Sequence, residues 1–344
     1  MMPRPLEGEP FVAVERGGLV ESIHNVAACA VDRAGKTIFS LGEIDVPVLL
    51  RSTAKPFIAA AAVREGVVER FGLEPREIAI MAASHNGETF HADAVRSILR
   101  KIGEPEAALL CGPHPPYDER AAAALRESGE AFSSVHNNCS GKHAGILALT
   151  ALLGASDANY LDPHHAAQRL ILALCARLSD ARVEDLPLAI DGCGIPVYAV
   201  SLRSAALSYA RLATLEGIDE RDARALRVVR DAMIAYPAYV AGTGDFDTVL
   251  MESARGNLLA KSGAEGLHGT AALRQGTGVV LKVADGNGRA VAPAMLAILD
   301  ELGLLDGTDA QALERFAHPP IYNRAGRLVG GISPLSRHAT KRST

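Results

Sequence analysis

A serine and a lysine three residues apart, Ser52 and Lys55, stand in Arg51-Ser52-Thr53-Ala54-Lys55-Pro56 and open an apolar segment from Phe57 to Val68. Residues i and i+3 are neighbours on a helix surface, so the lysine amine can lie beside the hydroxyl. Pro56 fits only near a first helical turn, where the N–H it lacks would have no partner. The helix is therefore expected to start close to Ser52, with that hydroxyl near the positive end of the dipole. A serine with an amine in reach is the arrangement of Ser-Lys acyl transfer. Taken alone, the motif is also that of an N-cap serine beside a solvated lysine.

Further polar clusters are spaced along the chain. Met81-Ala82-Ala83-Ser84-His85-Asn86-Gly87-Glu88 ends an apolar stretch. Ser84 there is either a turn cap or a second hydroxyl near Ser52, and His85 and Asn86 are candidate substrate contacts. His136-Asn137-Asn138-Cys139-Ser140-Gly141-Lys142-His143 is the densest polar stretch and opens an apolar helix. Backbone N–H groups and the dipole converge on such a start, as at an oxyanion site; His143 joins the candidate substrate contacts.

Asp191-Gly192-Cys193-Gly194-Ile195-Pro196 follows a strand expected over Leu186 to Ile190. Cys139 and Cys193, with Lys142, His143 or Asp191, could form a small metal site, because zinc favours thiolate and imidazole in a tetrahedral set. The spacing is no known zinc signature, and two small buried cysteines fit it as well. Two glycine-lined edges come last, Gly242-Thr243-Gly244-Asp245-Phe246-Asp247-Thr248 and Lys261-Ser262-Gly263-Ala264-Glu265-Gly266. In Ser-Lys acyl enzymes a K-[ST]-G strand borders the site opposite the S-x-x-K helix. Lys261-Ser262-Gly263 matches in type and in chain order.

Lysine is scarce. It occurs only at positions 36, 55, 101, 142, 261, 282 and 341, and the rest of the 35 basic residues are arginine. Three of the seven lysines nevertheless fall in small-residue motifs. Arginine cannot act as a base whereas a buried lysine can lose its proton, so these lysines read as kept for chemistry.

The elements that must hold these groups follow from periodicity. Strands are expected from Phe11 to Leu50, with a Gly17-Gly18 hairpin signal. Alanine-rich helical stretches follow near 57–71, 90–102, 118–128, 141–154, 163–179, 201–215 and 219–236. Strands return at Thr248–Glu252, Asn257–Lys261, Gly278–Ala284 and Arg327–Ile332, around a helix over Ala290–Leu302. The fold class is α+β: an antiparallel sheet built from both chain ends, plus a mostly helical lobe. We expect a single catalytic domain over 1–335, its sheet lobe at about 10–50 and 245–335, its helical lobe at about 52–244, and a frayed basic tail over 336–344. A ligand cleft is expected between the lobes.

A length of 344 residues suffices for one large core or two smaller ones. The net charge of −5 offers no basic surface for nucleic acid or an anionic membrane. No apolar run is long enough to span a bilayer. The N-terminus has no apolar signal region, and five cysteines, an odd number, fit reduced thiols in the cytoplasm.

Six motifs in register, RSTAKP at 51, ASHNGE at 83, NNCSGKHAG at 137, DGCGIP at 191, AGTGDFDT at 241 and KSGAEG at 261, resemble the L-asparaginase II family of rhizobial-type asparaginases. The resemblance runs from about Val12 to Ile332. It implies a serine-β-lactamase-like fold and hydrolysis of L-asparagine to L-aspartate and ammonia. It also implies Ser52 as nucleophile, Lys55 as its base, Ser84 and Lys261 completing the site, and Zn2+ on Cys139, Lys142 and Cys193. A homodimer is expected. From charge alone, Arg51 is a candidate for the substrate carboxylate, and Glu265 or Asp191 for its ammonium. The rival readings are a glutaminase or another β-lactamase-like acyl hydrolase, and a metal- or amino-acid-binding module without turnover.

Overall fold

The computed structural model describes residues 6–335, so the basic tail expected to fray from Ser336 lies outside the described residues. The expected sheet is present and draws on both ends of the chain. Its strands run, edge to edge, Pro320–Tyr322, Leu328–Pro334, Glu9–Arg16, Leu19–Val31, Thr277–Val283, Leu267–Ala272 and Leu258–Gly263. Thr37–Leu41 pairs in addition with Leu19–Val31, and every pairing is antiparallel. Val12 stands opposite Pro334, and Val26 opposite Val283. Val26 to Val31 are all buried, because helices Leu202–Thr214 and Val291–Glu301 pack on the sheet. A strand covered on both faces reads as an unbroken apolar run.

The helices between Lys55 and Ser253 fill the middle of the chain. Helix Lys55–Glu65 is buried from Lys55 to Val63 and packs against Ser140–Leu152, Ala166–Leu178 and Glu220–Ala235. Its alanines let these neighbours approach closely. Phe57 meets the Tyr209 ring edge-on at 5.4 Å, a geometry worth about 1 kcal/mol beyond the buried area.

Two expectations are corrected. The α-helix begins at Lys55, and Arg51–Ala54 form a 3-10 turn ahead of it. Pro56 has no N–H to give to the Ser52 carbonyl, so the Lys55 N–H takes that acceptor at the tighter i+3 spacing. Thr248–Glu252, expected as a strand, belongs to helix Phe246–Ser253. A short apolar run has no periodicity that separates the two, and extended Asp245 starts the helix. Elements not expected include helices Pro75–Met81 and Ala310–Ala317 and strands Pro196–Ser201, Leu267–Ala272 and Pro320–Tyr322. Pro196–Ser201 pairs with Pro47–Leu49 and Leu188–Ile190 in a small second sheet.

Candidate active site

The 3-10 turn delivers Ser52 to the boundary between sheet and helices. Its position is set from both sides. Thr53 donates its hydroxyl to the Leu50 carbonyl at 2.6 Å and accepts the Tyr209 hydroxyl on its own carbonyl at 2.9 Å. Gly263, at the end of the Lys261 strand, lies so close to Thr53 that an added Cβ would stand 2.9 Å from the threonine methyl. Ser52 and Lys261-Ser262-Gly263 are thereby brought together, as their motifs suggested. Arg51 holds a left-handed backbone at φ 47°, a strained conformation for a branched-out side chain.

Lys55 is buried at the head of its helix. Its amine donates to the Ala83 carbonyl at 2.6 Å, the Ser84 hydroxyl at 2.9 Å and the Asn138 carbonyl at 3.3 Å. Among the described residues no hydrogen bond joins it to Ser52. Burial pulls the Lys55 amine below the ordinary lysine range, and Lys142 adds to that pull while Cys139 and Cys193 oppose it. The Ser84 N–H is tied to the Val240 carbonyl at 2.9 Å. Lys261 is fully buried as well, and burial pushes its amine down to about 8 against the opposing charge of Asp247.

The two glycine-framed cysteines converge on Lys142. The Lys142 amine lies 2.9 Å from Cys193 Sγ, and the Cys139 thiol lies close to both. The neighbouring Cys193 and the Lys142 and Lys55 charges hold the Cys139 thiol below its usual range, whereas Cys139 and burial raise the Cys193 thiol. The Lys142 amine is raised by the two sulfurs in spite of its burial. Two thiols and one amine within reach of each other fit a borderline-soft ion such as zinc once they lose their protons. Among the described residues no group of three or more His, Cys, Asp or Glu side chains could hold a metal. Cys29, Cys111 and Cys175 are buried and free, with thiols pushed up by burial.

The candidate substrate contacts are placed differently from one another. Arg51 and Asp191 bind each other, Nε to Oδ1 at 2.7 Å, so Asp191 carries a counter-charge already. Glu265 is exposed at a hairpin turn, with its carboxylate against Gly286 and near Lys282, which takes it away from that role. His85 is buried, with Nε2 2.9 Å from the Ser140 hydroxyl and Nδ1 accepting the Gly87 N–H. His143 is buried against the Tyr160 hydroxyl at 2.7 Å. Asn86 donates to Asp245 at 2.7 Å and so ties the serine loop to the Gly242–Asp247 loop. Gly242 makes this tie possible: at φ 148°, an added Cβ would stand 2.3 Å from the Asn86 amide nitrogen. Motif reading missed Asp247, His268, Tyr209 and Asn138. Asp247 and Asn138 lay within quoted stretches, and Asp247 went unread because the strand was expected to begin after it.

A buried amine is thus bonded to a hydroxyl, with two serine loops and a lysine strand end around it. The chain belongs to the L-asparaginase II family, whose sequence model matches residues 12–334. No curated protein matches it. Among solved structures it is similar to Mglu in its native form in 4.3 M NaCl, at 15% identity and TM-score 0.39, over 83% of this chain and 63% of that one. It is also similar to a "putative beta-lactamase" from Bacteroides dorei, at 12% identity and TM-score 0.40, over 80% of this chain and 93% of that one. The chain thus spans less than two thirds of the Mglu chain, and likeness this loose decides neither fold type nor chemistry.

Proposed function

We propose that the chain hydrolyses L-asparagine to L-aspartate and ammonia through an acyl-enzyme on Ser52, on a serine-β-lactamase-like scaffold. The observation that carries this reading is the buried Lys55 amine on the Ser84 hydroxyl, at the head of the helix that Ser52 precedes, in a member of the L-asparaginase II family. An amide carbonyl is a poor electrophile, so attack needs an activated hydroxyl and a stabilised oxyanion. Ser52 gives its proton to the Ser84–Lys55 pair as its oxygen bonds the side-chain carbonyl carbon. The proton returns to the departing nitrogen, which leaves as ammonia. Water then attacks the ester, the same pair takes its proton, and aspartate leaves as Ser52 is restored.

For Lys55 to accept a proton near neutrality its amine must be lowered about three units, ~4 kcal/mol of environmental bias. Burial supplies that direction. Arg51, fixed by Asp191, is the partner for the substrate carboxylate. Cys139, Lys142 and Cys193 would hold zinc, which when bound supplies a Lewis acid or a rigid wall beside Ser52. The deciding experiment is ammonia release from L-asparagine, L-glutamine and a chromogenic β-lactam, with and without a chelator. Release from glutamine alone would make the chain a glutaminase, and asparagine binding without release would make it a sensor.

A further inference from the structure

Asp247 is a buried carboxylate that the mechanism above does not use. Helix Phe246–Ser253 lays it against the Leu258–Gly263 strand. Oδ2 accepts the Ser262 N–H at 2.6 Å, and Oδ1 accepts the Ser262 hydroxyl at 2.7 Å and meets His268 Nε2 at 2.9 Å. The Lys261 amine stands 3.8 Å from Oδ2 and donates to the Ser262 carbonyl at 2.8 Å. Both charges are shut off from water, Lys261 at 0% and Asp247 at 2% exposure. An ion so placed costs several kcal/mol unless it is paired and hydrogen-bonded. Three donors on one carboxylate make a fixed anion whose one flexible neighbour is the lysine stem.

We propose that Asp247 is the positioning residue for Lys261: pinned by Ser262 and His268, its carboxylate fixes where the amine stands and supplies its counter-charge. The role of Lys261 in turnover rests on the function proposed above, whereas the Asp247–Lys261 coupling does not. The charged and titratable groups that face Lys261 are Asp247 and Asp245 from the start of one helix, Lys55 from another, and Cys139 from the head of a third. Asp247 opposes the effect of burial on the lysine, and its own carboxyl is held well below the usual range, because the His268 and Ser262 bonds and the Lys261 charge outweigh burial.

The test is NMR of protein carrying 13Cε-labelled lysine, in which only seven lysines contribute. The Lys261 signal is assigned with Lys261→Met, and folding of each variant is checked by circular dichroism. Asp247→Asn removes the anion and keeps its shape, so the Lys261 midpoint is expected to fall by at least one pH unit from about 8. The limb of the kcat/KM profile that belongs to Lys261 is expected to move the same way, with kcat lowered on the order of 100-fold. Asp247→Ser is a second neutral variant with the same expected shift, and Asp247→Glu, which keeps the charge, is expected to stay within half a unit of wild type. An unmoved midpoint in a folded neutral variant overturns the proposal, as does a drop of one unit in Asp247→Glu. A wild type that releases no ammonia defeats the proposed function and leaves the NMR result to decide this one.

Discussion

The Lys55 amine stands 2.9 Å from the Ser84 hydroxyl, not against Ser52 three residues before it. The carbonyls of Ala83 and Asn138 are the other two partners of this amine. In the proposed mechanism Ser84 is the route by which a proton from Ser52 reaches Lys55. Ser84→Ala is expected to lower kcat on the order of 100-fold with little change in KM, the loss expected of a proton-transfer group. Adding Lys55→Met should make that variant only slightly worse, because members of one unit are non-additive. Wild-type turnover in Ser84→Ala would remove Ser84 from the route.

Alkaline conditions should stabilise the protein through Lys261. Its amine is lowered from 10.5 to about 8 in the fold, chiefly by burial. Below about pH 8 both states carry the proton and the fold bears the burial penalty. Between there and the unfolded value the unfolded chain binds a proton that the fold has released, so stability rises with pH. Relative to Lys261→Met, wild type should gain about 2 kcal/mol between neutral pH and pH 10. Urea unfolding at the two pH values measures this, and a constant difference would mean that the amine titrates normally.

Gly141 sits where helix Ser140–Leu152 crosses helix Pro75–Met81. A Cβ there would stand 2.1 Å from the Ile80 carbonyl oxygen. Gly141→Ala must push the helices apart and is expected to cost about 2 kcal/mol or more, at the upper end of overpacking. Thermal unfolding reads the loss. Because Cys139 and Lys142 flank this crossing, activity should fall further than stability alone explains, and unchanged melting would show that the crossing relaxes freely.

Zinc, if it binds, should do so about once per chain in protein purified without added metal, by elemental analysis. Cys139→Ser and Cys193→Ser should each lower occupancy at least tenfold. Occupancy should also fall as pH is lowered, since all three donors bind only when deprotonated. Metal-free wild type with both variants at full stability would reduce the pair to core packing.

Much of the architecture could be read because alternation and helical period survive wherever one face is buried. The Gly17-Gly18 hairpin, the alanine-rich helices and the return of strands near the C-terminal end are of this kind. Leu267–Ala272 was not legible: Leu-His-Gly-Thr-Ala-Ala has few β-branched residues, and Gly269 is there because the Tyr209 ring lies on it. The candidate site was legible as residue types but not as pairings. Motif reading singled out Lys261 and both cysteines, and the structure buries all three. It could not show that Arg51 and Asp191 neutralise each other across 140 positions, that His85 bonds Ser140 and His143 bonds Tyr160, or that an acid hides behind Lys261. Those facts depend on which elements meet, and local period carries no record of that.

The pairing of Val12 with Pro334 has a consequence for the order of events during synthesis. Strand Glu9–Arg16 lies between Leu19–Val31 and Leu328–Pro334, so one of its two neighbours is synthesised only long after it. The first hairpin must wait, with an open edge, while more than 200 residues of mostly helical chain emerge and pack locally. Contacts of such long range close late and slowly. Ribosome-bound chains halted before residue 320 should therefore hold their helices while the hairpin edge stays accessible to proteases and chaperones. Strand Glu9–Arg16 thus gains its second partner only after the helices between Lys55 and Ser253 have been made.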